Sequence, residues 1–146
     1  MEPEFTAADL RRAFAPEPGV DAMVLPDATV IGSTGADVDR LRAALARSPW
    51  HVLDAGPEDE LGPTRVRPAP GVLVNFSLGL GAPITFDFDL REIIDDASLT
   101  ALLDLLRFVA SSTGKDVSMH AEGDSAGSAV LEVGAIDGSV MLRPLH

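Results

Sequence analysis

Asp87 and Asp89 alternate in Ile84-Thr85-Phe86-Asp87-Phe88-Asp89-Leu90, and Glu92, Asp95 and Asp96 follow closely. On an extended strand, alternate side chains share a face about 7 Å apart, which puts the first pair within reach of one hard cation. A helix N-terminus placed nearby would add Asp95 and Asp96. Such an oxygen set suits Mg²⁺ or Ca²⁺ better than Zn²⁺, although no glycine-punctuated calcium loop is present. The plainer reading is a solvated strand face followed by acids that complement a helix dipole. The sequence therefore assigns no metal ligand and no resident cofactor. Asp87, Asp89, Glu92, Asp95 and Asp96 are instead the best candidates for contact with a positively charged partner.

A second constellation is Thr29-Val30-Ile31-Gly32-Ser33-Thr34-Gly35-Ala36-Asp37, an apolar run joined through glycines to a helix start. It resembles the first turn of a dinucleotide-binding fold, where free backbone N–H groups cradle a pyrophosphate. That resemblance makes Gly32 and Gly35 cofactor-binding candidates and gives Asp54 the place of a ribose-binding acid. Val30 stands where the first glycine of Gly-x-Gly-x-x-Gly falls, and Asp37 and Asp39 bring negative charge to the phosphate position. The alternative is a capped helix preceded by a tight turn.

His51, His120 and His146 are far apart in the chain. His120, among Asp116, Glu122 and Asp124, has the surroundings of a base oriented by a carboxylate. Ser118, Ser125 and Ser128 are too generic to be named nucleophiles, and there is no Gly-x-Ser-x-Gly elbow. Zero cysteines exclude disulfides, thiolate metal sites and cysteine nucleophiles.

Charge restricts the partners. The chain carries 23 Asp and Glu against 11 Lys and Arg, a net −12, with Lys115 its sole lysine. Such a surplus repels phosphate backbones and attracts cationic surfaces. The close base pairs are Arg11-Arg12, Arg40/Arg42 and Arg65/Arg67, in a chain without Tyr and with one Trp, so nucleic-acid binding is disfavoured. An acidic domain can instead mimic nucleic acid in a basic cleft. The N-terminus lacks a signal-peptide layout, and no apolar run approaches the ~20 residues of a membrane helix. A cytoplasmic protein without membrane contact is expected. Its Arg, Ala, Gly and Pro usage suits a GC-rich bacterial gene.

Several elements must position these residues. Thr6, with Asp9 three residues on and Phe5 and Leu10 as a staple, predicts a helix that ends before Pro16 and Pro18. Ala22–Leu25 and Ala28–Ile31, split by Pro26-Asp27, read as a small hairpin. Thr34 and Asp37 cap a second helix to about Arg47, with Val38, Leu41 and Leu45 as its buried stripe. Trp50–Leu53 reads as a strand, residues 54–63 as an acidic loop or sub-boundary, and Thr64–Arg67 as an edge strand before Pro68 and Pro70. Val72–Leu80 and Ile84–Leu90 alternate strongly. A long helix from near Asp96 to Thr113 buries Leu99, Leu102, Leu103, Leu106, Val109 and Ala110. Strands at about 117–121, 128–135 and 139–143 close the chain, with Asp137-Gly138 as a two-residue turn. The expected fold is one α+β domain over residues 1–146, a mostly antiparallel sheet carrying two or three helices on one face.

From Ile84–Leu90, through the Leu-rich helix, to the closing hairpin, residues 72–143 of this small acidic chain resemble bacterial immunity proteins of polymorphic-toxin systems. The resemblance implies a protein that binds and blocks a cognate toxin, often a basic nuclease. No functional residue is carried over by it. The expected function is thus a non-catalytic, acidic protein-binding module. The alternative is a ligand-binding protein or enzyme that uses the Gly32–Gly35 turn or a carboxylate metal site. Pairing of edge strands between copies would give a homodimer.

Overall fold

Three helices begin with the same reciprocal device, in which a capping side chain and the residue three positions on satisfy each other's backbone N–H. In the computed structural model, which describes residues 5–15, 26–53, 64–78, 83–120 and 129–143, Thr6 and Asp9 open α1 (Ala7–Ala13). Thr34 and Asp37 open α2 (Gly35–Ala46), and Asp95 and Ser98 open α3 (Asp96–Thr113). The apolar stripe of α3, including Leu99, Leu102, Leu103 and Leu106, is fully buried. α3 lies against the sheet and touches both other helices.

Among the described residues, eight strands form one sheet: β1 (Asp27–Val30), β2 (His51–Leu53), β3 (Thr64–Ala69), β4 (Val72–Phe76), β5 (Thr85–Phe88), β6 (Val117–His120), β7 (Leu131–Val133) and β8 (Val140–Leu142). Their order is β2-β3-β4-β5-β1-β6-β7-β8, and every neighbouring pair is antiparallel. It follows that β5 and β6, on either side of β1, run parallel to each other, as do β1 and β2. Parallel strands need long crossovers, which α3 and α2 respectively supply. The fold is the expected α+β arrangement, with Ala28, Val30, Val74, Phe76, Phe86, Phe88, Val117 and Met119 on the buried side. Among the described residues no helix is long and apolar enough to cross a membrane.

Three local expectations are corrected. β1 is not half of a local hairpin: both its edges are taken, by β5 and β6, and residues 22–25 lie outside the described residues. The Thr64–Arg67 strand is interior, flanked by β2 and β4. Pro68 is tolerated there because β2 pairs only as far as Arg67 and the β3–β4 register shifts between Val66 and Ala69. The edge is β2, whose neighbour Trp50 packs edge-on against Phe108 of α3 at 4.9 Å. The last hairpin turns through four residues, not two. Gly134 N donates to Ser139 O (2.9 Å) and Gly138 N to Gly134 O (3.0 Å), with Gly138 at φ 68°. Residues 54–63 also lie outside the described residues.

Candidate functional site

Alternation along the strands turns one set of side chains into the core and the other onto the open side of the sheet. Asp27 is paired with His120 across β1 and β6. The β1–β5 register, Ala28 to Phe86 and Thr29 to Thr85, continues to set Asp27 across from Asp87. Asp87 in turn faces Asn75, and Asn75 faces Arg65. Five strands therefore present one polar row: His120, Asp27, Asp87, Asn75, Arg65.

The acidic end of this row borders an open concavity of about 750 Å³. Asp27, Asp87 and His120 line it, with Thr29, Thr85 and Ser77 as neutral polar groups and Ile31 and Pro83 as apolar ones. No lysine or arginine is among its described lining residues. Asn75 Nδ2 donates to Asp87 Oδ1 (3.1 Å), which fixes the carboxylate's orientation. His120 Nε2 and Ser118 Oγ are hydrogen-bonded at 2.7 Å, while the buried Nδ1 has no hydrogen-bond partner.

Of the five carboxylates singled out in the sequence, only Asp87 borders this concavity; Asp89, Glu92 and Asp95 lie along the β5–α3 connection and Asp96 opens α3. Asp89 caps the short 3₁₀ turn Leu90–Glu92 and holds the Arg91 guanidinium through both oxygens, with Nη2 at 2.7 Å. The Arg91 side chain lowers the Asp89 pKa most, with the Arg91 backbone N–H assisting against partial burial. Glu92 Oε1 accepts from the Leu73 N–H at 3.0 Å, tying the connection to β4. Asp95 accepts from the Ser98 N–H at 2.8 Å, and that bond chiefly lowers its pKa. Asp96 is exposed in the first turn of α3. Asp89, Glu92 and Asp95 thus fasten the chain, and Asp96 keeps the plainest solvent-facing role.

The Gly32–Gly35 segment is built as a joint. Ser33 N donates to Val30 O (3.2 Å), closing a turn in which Gly32 sits at φ 70°. Ser33 Oγ donates to Val30 O (2.7 Å) and accepts from Ile84 N (2.8 Å), binding the turn to the start of β5. A Cβ at Gly32 or Gly35 would meet nothing within 4 Å. The backbone N–H groups of Thr34 and Asp37 are already taken by the capping box. With antiparallel neighbours on both sides of β1, the segment also lacks the parallel β-α-β setting of the dinucleotide fold. Asp54, the proposed ribose acid, lies outside the described residues.

Asp37 has no exposed surface and is held by Lys115 Nζ at 3.0 Å and Arg40 Nη1 at 2.6 Å. The Lys115 hydrogen bond is the main cause that lowers its pKa from 3.8 to about 2, against the opposing effect of burial. Instead of repelling a phosphate, this carboxylate clamps the start of α2 to the α3–β6 turn.

The histidine surroundings differ from the sequence reading. Asp116 accepts from the Ala135 N–H at 2.9 Å, while Glu122, Asp124, Ser125, Ser128 and His146 lie outside the described residues. The carboxylate opposite His120 is Asp27, which sequence proximity could not indicate. Ser118, the hydroxyl that touches His120, is only 1% exposed and beyond a substrate's reach. His51 is exposed on edge strand β2. Among the described residues, no three His, Asp or Glu side chains converge to hold a metal ion. Neither models of protein families nor curated proteins nor solved structures match this chain.

Proposed function

We propose that the protein is a non-catalytic module that binds a basic protein through the open face of its sheet. One observation carries this reading: the concavity at the centre of that face is bordered by Asp27 and Asp87 and by no described lysine or arginine. The net charge of −12 extends the same preference over long range, speeding approach of a cationic partner. The resemblance to immunity proteins fits here, with a basic toxin as the partner neutralised. Asp89, Glu92, Asp95 and Asp96 then contribute to the field that steers the partner, and Asp87 contributes a direct contact.

The test is a pull-down from bacterial lysate at low salt, with the wild-type chain and a D27N/D87N variant side by side. A stoichiometric basic protein retained by the wild type, released by a salt step and weakly held by the variant is the expected result. Equal retention by both chains would remove the open face from the binding surface. Retention of acidic or neutral proteins alone would overturn the reading.

A further inference from the structure

We infer that two copies of this chain pack face to face through the β2–β5 half of the open sheet face, about a two-fold axis that runs along β4 through Asn75. The inference goes beyond the reading above and does not rest on it. Arg65, Asn75 and Asp87 occupy opposed positions on three adjacent strands. Neighbouring strands lie about 4.8 Å apart, so a cation and an anion flank Asn75 at about equal distances. Arg65 is exposed and has no ion-pair partner among the described residues. Asp87 is oriented by the Asn75 amide through Oδ1, and its Oδ2 takes no hydrogen bond among the described residues. Both charges therefore remain free to pair outside their own chain.

A half-turn about β4 makes this arrangement complementary to itself. Arg65 then faces the partner's Asp87, and Asp87 faces the partner's Arg65, giving two identical ion pairs in an isologous interface. Packed sheets lie about 10 Å apart with strand directions within about 30°, a gap that a long arginine stem and a short carboxylate span together. Leu73, two residues from Asn75 and on the same side of β4, lies on the axis and meets its own copy. Apolar surface collects on this face as well. Among the described residues five large hydrophobic side chains are exposed, and three of them, Ile31, Leu53 and Met141, alternate outward from the core on the open side. Each copy carries −12, but charges more than about 8 Å apart are largely screened at 0.15 M salt, and this axis brings charges of opposite sign closest. The basic partner proposed above also uses Asp87, so it and a second copy exclude each other.

Sedimentation equilibrium of the whole chain at 0.15 M salt and about 0.5 mM, a concentration that reveals even weak dimers, tests this. The wild type should sediment with the mass of a dimer. R65E alone and D87R alone should each weaken self-association about tenfold or more, because each sets like charges against each other twice. An equimolar mixture of the two should regain the dimer, since the reversed side chain at position 65 then meets the reversed one at position 87, and the unchanged Asp87 meets the unchanged Arg65. Thermal unfolding checks that each variant is folded. R65E changes an exposed side chain, and D87N, which keeps the size of the carboxylate, replaces D87R if that chain does not fold and should also weaken the dimer. A monomeric wild type would overturn the inference and leave the basic-partner reading standing. A dimer indifferent to R65E would place the contact elsewhere, such as at the edge strands, and would overturn it too. A mixture of R65E and D87R that stays monomeric would overturn the pairing of Arg65 with the partner's Asp87.

Discussion

Asp37 is a fully buried charge whose partners come from two distances along the chain. Thr34 and Arg40 are three residues away and were legible as a capping box and an adjacent base; Lys115 is 78 residues away, and no local pattern announces it. Asp37→Asn keeps the shape but removes the charge facing Lys115 and Arg40. At neutral pH it should destabilise the fold by about 1–3 kcal/mol, read from urea unfolding. Because the folded-state pKa is depressed, the stabilisation from Asp37 is fully present above its ordinary 3.8 and is lost as pH falls through about 2. The gap between wild type and variant should therefore narrow across that window. A constant gap from pH 5 to pH 2 would mean that the carboxylate's ionisation contributes nothing. The site shows the same division: alternation in Ile84–Leu90 marks Asp87, whereas Asp27 was hidden in what read as a turn.

Elements were legible where their signal is periodic. The stripe of α3 and the alternation of β4 and β5 reflect one buried face each, and the caps of α1 and α2 are contained within four residues. β1 departs from the local hairpin because adjacent apolar runs favour each other only when no better partner exists, and β5 and β6 offer both edges of a sheet. The Gly32 turn gives a direct test of its joint-like construction. Gly32→Ala forces a side chain into φ 70° and should cost about 1 kcal/mol, although the Cβ has open space. Gly35→Ala, at the first position of α2 and also in open space, should be neutral or stabilise by up to about 1 kcal/mol. Thermal unfolding of the pair reads the difference, and equal destabilisation would mean the second glycine has a tighter role than its surroundings indicate.

In the whole molecule, α3 connects the two halves of the sheet through one continuous core. Leu103, fully buried on that helix, should lose about 2–5 kcal/mol on truncation to Ala, and fluorescence of Trp50 and far-ultraviolet dichroism should shift together. Transitions that separate would show that β2 and its neighbours melt apart from the rest. Fold class was legible because composition and element type constrain layers, but strand order was not, since it depends on pairings between residues remote in sequence. β1 therefore has a history as well as a position. The runs β2 to β5 and β6 to β8 can each pair with the strand just made, whereas β1 must wait for residues 85–88 and then 117–120. On a ribosome adding roughly 5–20 residues per second, that wait is a matter of seconds. During it, Ala28 and Val30 have no sheet to enter, and the net charge of −12 disfavours their pairing with other copies of the chain. Among the described strands, the first to be made waits longest for its partners.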